Sequence, residues 1–189
     1  TSSASTLTTA TKSAAAQTAG VHLVPGVEIS VTWNRQTIHV VALNVDPEAP
    51  ELHAGLARLQ EFRVWRAEEI GRQLAKAGIE GVAEGARRHA QGVLISRTHF
   101  AHFLVETGRA KDLRAVFRKF LVKNKPGHVT GQWAGLEEAL GWIRAAGGRA
   151  VIAHPARYRL TNNKLRRLIG SSASAAARVW RWSPAVTRS

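Results

Sequence analysis

Three residues of this 189-residue chain stand where chemistry is most often placed. Glu28 lies in PGVEIS, His39 in TIHVV and His154 in AVIAHP. Each is expected at or near the end of a short run rich in β-branched residues, and strand ends of α/β folds share a mouth where sites gather. One carboxylate and two imidazoles form a donor set for zinc, manganese or iron. A lone histidine of this kind is more often a hydrogen-bonded core or edge residue than a ligand. Three together make the stronger pattern. Cysteine is absent, so a disulfide scaffold and a thiolate-ligated metal are both excluded.

The elements that must position these residues follow from hydrophobic period. Residues 21–30 (VHLVPGVEIS) read as a strand interrupted at Pro25-Gly26, and 37–45 (TIHVVALNV) as a second. The short link from Trp33 to Gln36 predicts a hairpin. From 51 to about 78, Leu52, Leu56, Leu59, Phe62, Ile70 and Leu74 recur at helical spacing, and Gly78 marks the stop. Further helices are expected over 84–92, after Ser96 as an N-cap, over 111–122, from Leu136 to Ala146 and from Leu160 to Ile169. Residues 149–153 (RAVIA) read as a buried strand. The fold class is therefore α/β, with a core over 21–50 and 136–170 interrupted by an all-helical segment over 51–135. Residues 1–20 and 171–189 are Ser/Thr/Ala-rich and unpatterned, and are expected to lie outside that core.

Lys and Arg number 27 against 13 Asp and Glu, a formal charge of +14. Such a balance favours phosphate-bearing partners through Coulomb attraction and counterion release. High arginine usage is the bland alternative, and Arg on a helix is usually a solvated face. Trp133 reads as a packing residue, and Trp180 and Trp182 alternate with Arg178 and Arg181 in a tail without a folded pattern. No run of 18 apolar residues occurs, so no membrane helix is expected, and a cytoplasmic location is the default.

The motifs carry a resemblance. PGVEIS, followed eleven residues after its Glu by the His of IHVVALNVD and then by AVIAHPARY, resembles the PHP (polymerase and histidinol phosphatase) superfamily of metal-dependent phosphoesterases. RTHFAHFLVETG, VFRKFLVKNKPGHV, QWAGLEEAL and GGRAVIAHPARY are similar to the bacterial branch that hydrolyses nucleoside 3′,5′-bisphosphates and trims RNA from its 5′ end. The resemblance covers about residues 15 to 170.

It implies a distorted (β/α)7 barrel with divalent metals, manganese first and zinc, iron or magnesium as alternatives. Glu28 resembles a bridging carboxylate ligand, and His39 and His154 resemble imidazole ligands of one metal. Arg63, Arg97, Thr98, His99 and Phe100 match positions that grip phosphate and nucleoside, and Arg157 follows His154 closely enough to join them. The implied partner is a nucleotide or short RNA. The family's His-x-His strand, Asp-His-Asp turn and late Asp-x-His motif do not occur here. The expectation is thus a partial barrel, an internal fragment of a longer enzyme. A basic nucleic-acid-binding module without catalysis and a non-functional remnant are the alternatives.

Overall fold

In a computed structural model, residues 14–90, 92 and 94–175 are described. Residues 14–18 form a short helical turn. Strands β1 (Gly26–Trp33) and β2 (Gln36–Leu43) form the expected hairpin. Asn34 and Arg35 both have positive φ, 47° and 60°, as a two-residue turn matched to strand twist requires. The long helix α1 spans Pro50–Lys76, α2 spans Val82–His89 and α3 spans Arg97–Glu106. Helix α4 (Leu113–Val116) continues as a π-helical turn, Phe117–Leu121. The two-residue strand β3 (Ala134–Gly135) leads into α5 (Leu136–Ala145). Strand β4 (Arg149–Ile152), a 3₁₀ turn (Pro155–Tyr158) and α6 (Asn162–Ala175) complete the order.

The four strands make one mixed sheet in the order β3-β1-β2-β4. β1 pairs in parallel with β3 through Val31–Ala134 and Thr32–Gly135. β2 pairs antiparallel with β4 from Val40–Ile152 to Leu43–Arg149. The described residues thus have an α/β architecture with a four-stranded mixed sheet.

Several expected boundaries move. The apolar run 21–25 is not strand, and Val21, Leu23 and Val24 are exposed. β1 starts only at Gly26, where a Cβ would lie 2.6 Å from the Ala42 carbonyl oxygen, so only glycine lets β2 come this close. Glu28 consequently stands near the start of β1 and His39 within β2, rather than at strand ends. The helix expected over 111–122 divides into α4 and the π turn. The last helix begins at Asn162 and runs to Ala175, past the expected stop at Ile169.

The chain divides into two compact units. The first holds residues up to Ile29, His39–Leu52 and Leu140 onward. Ile29, Val40, Ala42, Val45, Leu140, Ile143, Ala150 and Leu168 are buried there. The second holds Ser30–Ile38 and His53–Ala139. Its helices bury Ile70, Leu74, Phe100, Leu104, Val116 and Leu121 in one continuous cluster. Burial of this apolar surface is the main term holding either unit together.

Candidate metal centre and basic cluster

In the first unit, strand pairing brings three donors together. The backbone N–H of Ala153 donates to the His39 carbonyl at 2.9 Å, one residue beyond the end of β4. The next residue, His154, leaves the strand direction with φ 32° and ψ 56° and caps the 3₁₀ turn. This left-handed conformation is uncommon outside glycine. It sets the His154 imidazole edge-on to that of His39, with ring centroids 5.1 Å apart. Glu28 Oε1 lies 2.7 Å from His39 Nδ1 and 3.5 Å from His154 Nε2. Glu28, His39 and His154 each offer a donor atom, and these atoms all lie within 4.8 Å of one another.

A second set of contacts fixes the histidines. The His39 backbone N–H donates to the Tyr158 hydroxyl at 2.8 Å, across 119 positions of sequence. The Tyr158 ring also stands 5.4 Å from that of His154. Burial pushes the Tyr158 phenol pKa upward, so it remains a neutral hydroxyl at physiological pH. Arg157 is exposed on the same turn, its backbone N–H bonded to the His154 carbonyl.

The donor set fits a divalent cation. One carboxylate and two imidazoles suit the borderline ions. His154 Nδ1 is buried with no hydrogen-bond partner among the described residues, an arrangement that costs free energy unless a ligand or water satisfies it. Glu28 is exposed, so the set opens to solvent.

The second unit carries a different feature. Arg63 donates from one terminal nitrogen to Ser30 Oγ at 3.2 Å. Arg66 donates through Nε and a terminal nitrogen to the Val129 carbonyl at 3.2 and 3.1 Å. Both guanidiniums stand over Trp133, at 5.0 and 5.5 Å from the ring. Arg97 stands 5.8 Å over the Phe117 ring. None of these three arginines is ion-paired to a carboxylate among the described residues.

The electrostatic consequence is visible in the pKa values. Burial, then the charges of Arg97 and Arg63, bring Arg66 down to about 10. Burial also lowers Arg97. His128 is lowered by burial first and then by Arg66, Arg97 and Lys123. Mutually repelling, partly desolvated cations of this kind are stabilised by a nearby anion.

The remaining residues singled out from sequence fall around Ser96, which caps α3. Its N–H donates to His99 Nδ1 at 3.1 Å, while the His99 N–H donates to the Ser96 carbonyl. The expected cap is thus present, and His99 serves it through one ring nitrogen. Thr98 is exposed. Phe100 is 1% exposed and packs in the helical core, which leaves no face for a nucleobase. Sequence reasoning passed over Tyr158 and Lys123, and found no motif for His128. It set Arg66 and Trp133 aside as a helix face and a packing residue. The one available signal was the basic, Gly/Pro-marked loop from Lys123 to Trp133, which holds Lys123, Lys125 and His128. Trp180, Trp182, Arg178 and Arg181 lie outside the described residues.

No family model matches the chain. Curated relatives do. A 3′,5′-nucleoside bisphosphate phosphatase of Chromobacterium violaceum is 51% identical over 157 residues, 82% of this chain and 55% of that protein. The 5′-3′ exoribonuclease Rnm of Escherichia coli is 46% identical over 149 residues, 79% of this chain and 51% of the relative. The chain therefore spans about half the length of the curated relatives it matches. Among solved structures, an amidohydrolase from Chromobacterium violaceum with bound sulfate and no metal superposes with a TM-score of 0.82 at 48% identity, over 90% of this chain and 60% of that one. A Bifidobacterium adolescentis protein named for a metal-dependent phosphoesterase matches in fold, with a TM-score of 0.70 at 21% identity, over 84% of this chain and 58% of its own. The chain is thus similar, over about half their length, to a bacterial 3′,5′-nucleoside bisphosphate phosphatase and to a 5′-3′ exoribonuclease.

Proposed function

We propose that this chain carries part of a divalent-metal-dependent phosphoesterase acting on nucleoside 3′,5′-bisphosphates and RNA 5′ ends. The observation that carries the reading is the convergence of Glu28, His39 and His154 within 4.8 Å. These three would hold the cation, manganese being the first candidate. A bound divalent cation supplies Lewis-acid charge for a phosphate oxygen and lowers the pKa of water. Glu28 Oε1 faces both imidazoles, at 2.7 Å from His39 Nδ1 and 3.5 Å from His154 Nε2. Tyr158 holds the His39 backbone, and the left-handed His154 aims its ring at Glu28. Within the second unit, Arg63, Arg66 and Arg97 offer charge-assisted donors for phosphate oxygens, with Thr98 and His99 as further polar groups; within the first, Arg157 on the turn after His154 is a further cation. In the same reading, the four strands are part of a distorted (β/α)7 barrel and 51–135 is its helical insertion. A nucleotide or RNA substrate belongs with a cytoplasmic location.

Two measurements test this. Manganese binding, read by the loss of the free-ion electron paramagnetic resonance signal, should weaken about 10- to 100-fold in Glu28→Gln. Phosphate release from adenosine 3′,5′-bisphosphate should depend on manganese and fall in the same variant. Unchanged manganese affinity would remove Glu28 from the centre. A second reading, an RNA-binding module without catalysis, is favoured by the carboxylate-free arginine cluster. Chelator-insensitive RNA binding with no phosphate release would select it.

A further inference from the structure

We propose that Trp133 is a positioning residue of the phosphate site, an indole clamp that holds Arg63 and Arg66 ready for the anionic groups of a nucleotide. The inference rests on the reading of the basic cluster as a phosphate site and adds what assembles it.

Two like-charged guanidiniums do not share a place without an opposing term. Carboxylates usually supply it, and here no carboxylate pairs with either one among the described residues. The negative face of an indole is the substitute, attractive to a cation and unable to neutralise it. Trp133 stands within 5.0 Å of the Arg63 guanidinium carbon and 5.5 Å of that of Arg66. A carboxylate in that position would compete with phosphate; an aromatic ring leaves the charge free for the ligand.

The ring is itself fixed. Phe62 meets it edge-on, with centroids 5.0 Å apart and planes at 83°. On the backbone side, a Cβ at Gly131 would collide with Trp133 Nε1, so glycine is what lets the indole approach. Hydrogen bonds to Ser30 Oγ and the Val129 carbonyl set the guanidinium planes and leave their other donors for a ligand. Pre-setting two long side chains removes part of the rotamer entropy that binding would otherwise cost.

The test is binding of adenosine 3′,5′-bisphosphate measured by titration calorimetry with chelator present, so that neither metal nor turnover contributes. Trp133→Ala should weaken binding about tenfold, the scale of two partly desolvated cation–π contacts. Trp133→Phe should recover most of it, and Gly131→Ala should weaken binding with the indole still present. In parallel, the Nε–H resonances of Arg63 and Arg66 should carry ring-current shifts that vanish in Trp133→Ala. Wild-type affinity in Trp133→Ala overturns the proposal, as does the absence of ring-current shifts in the wild type. Ring-current shifts without nucleotide binding in the wild type overturn the phosphate reading, and the positioning role with it. Loss in Trp133→Ala without recovery in Trp133→Phe also overturns it, because a general packing defect then accounts for the loss.

Discussion

His128 reports on the cluster beside it. Burial and the charges of Arg66, Arg97 and Lys123 hold its pKa below the ordinary histidine value of 6.5. The unfolded chain therefore binds a proton more readily than the folded one over the window just below pH 6.5. Folding stability is complete above that value and falls as the pH drops toward the folded-state pKa. His128→Gln should flatten this slope in pH-dependent thermal unfolding. Phosphate gives the opposite sign on the ring itself: an anion among these cations offsets their repulsion and should raise the His128 pKa in a nuclear magnetic resonance titration. A pKa unmoved by saturating phosphate would place the anion elsewhere.

Helices α2 and α3 meet through a glycine, and that contact makes a prediction about elements. A Cβ on Gly85 would collide with the Phe103 ring, which is buried in the helical cluster. Gly85→Ala should destabilise by about 1–3 kcal/mol through overpacking, read by denaturant unfolding. Gly141, in α5, faces open space, and Gly141→Ala should stabilise by about 0.5–1 kcal/mol through helix propensity. The same contrast explains what was legible beforehand. The hairpin, the α1 stripe and the Ser96 cap are encoded within a few residues, so periodicity and capping chemistry reveal them. The start of β1 depends on the Ala42 carbonyl, a partner sixteen positions away, and the apolar run 21–25 misled because hydrophobicity alone does not supply a neighbouring strand. Glu28, His39 and His154 could be chosen by type and motif. Their convergence depends on β4 pairing with β2 and on a left-handed histidine, and no local pattern announces either. Tyr158 on His39 and Trp133 under two arginines are purely tertiary contacts.

Across the whole molecule the balance of +14 is the largest electrostatic fact. Of the cations, Lys12, Arg178, Arg181 and Arg188 lie outside the described residues, and none of those segments holds an Asp or Glu. The described residues thus carry most of the excess. If that charge meets RNA phosphates, binding must release condensed counterions. The logarithm of affinity for a short single-stranded RNA should then fall linearly with the logarithm of salt concentration, by about 0.7 per phosphate neutralised. Removing one contributing cation should reduce the slope by one such increment. Arg97→Gln should do so if Arg97 meets a phosphate, whereas Arg72→Gln should not, since Arg72 is already engaged by Glu69 at 2.6 Å. Equal slopes for wild type and Arg97→Gln would mean that the cluster holds no backbone phosphate. Repeating the measurement with chelator separates the two functional readings. A slope that persists while phosphate release stops belongs to the arginine cluster, and binding that collapses with the metal belongs to the centre built on Glu28, His39 and His154.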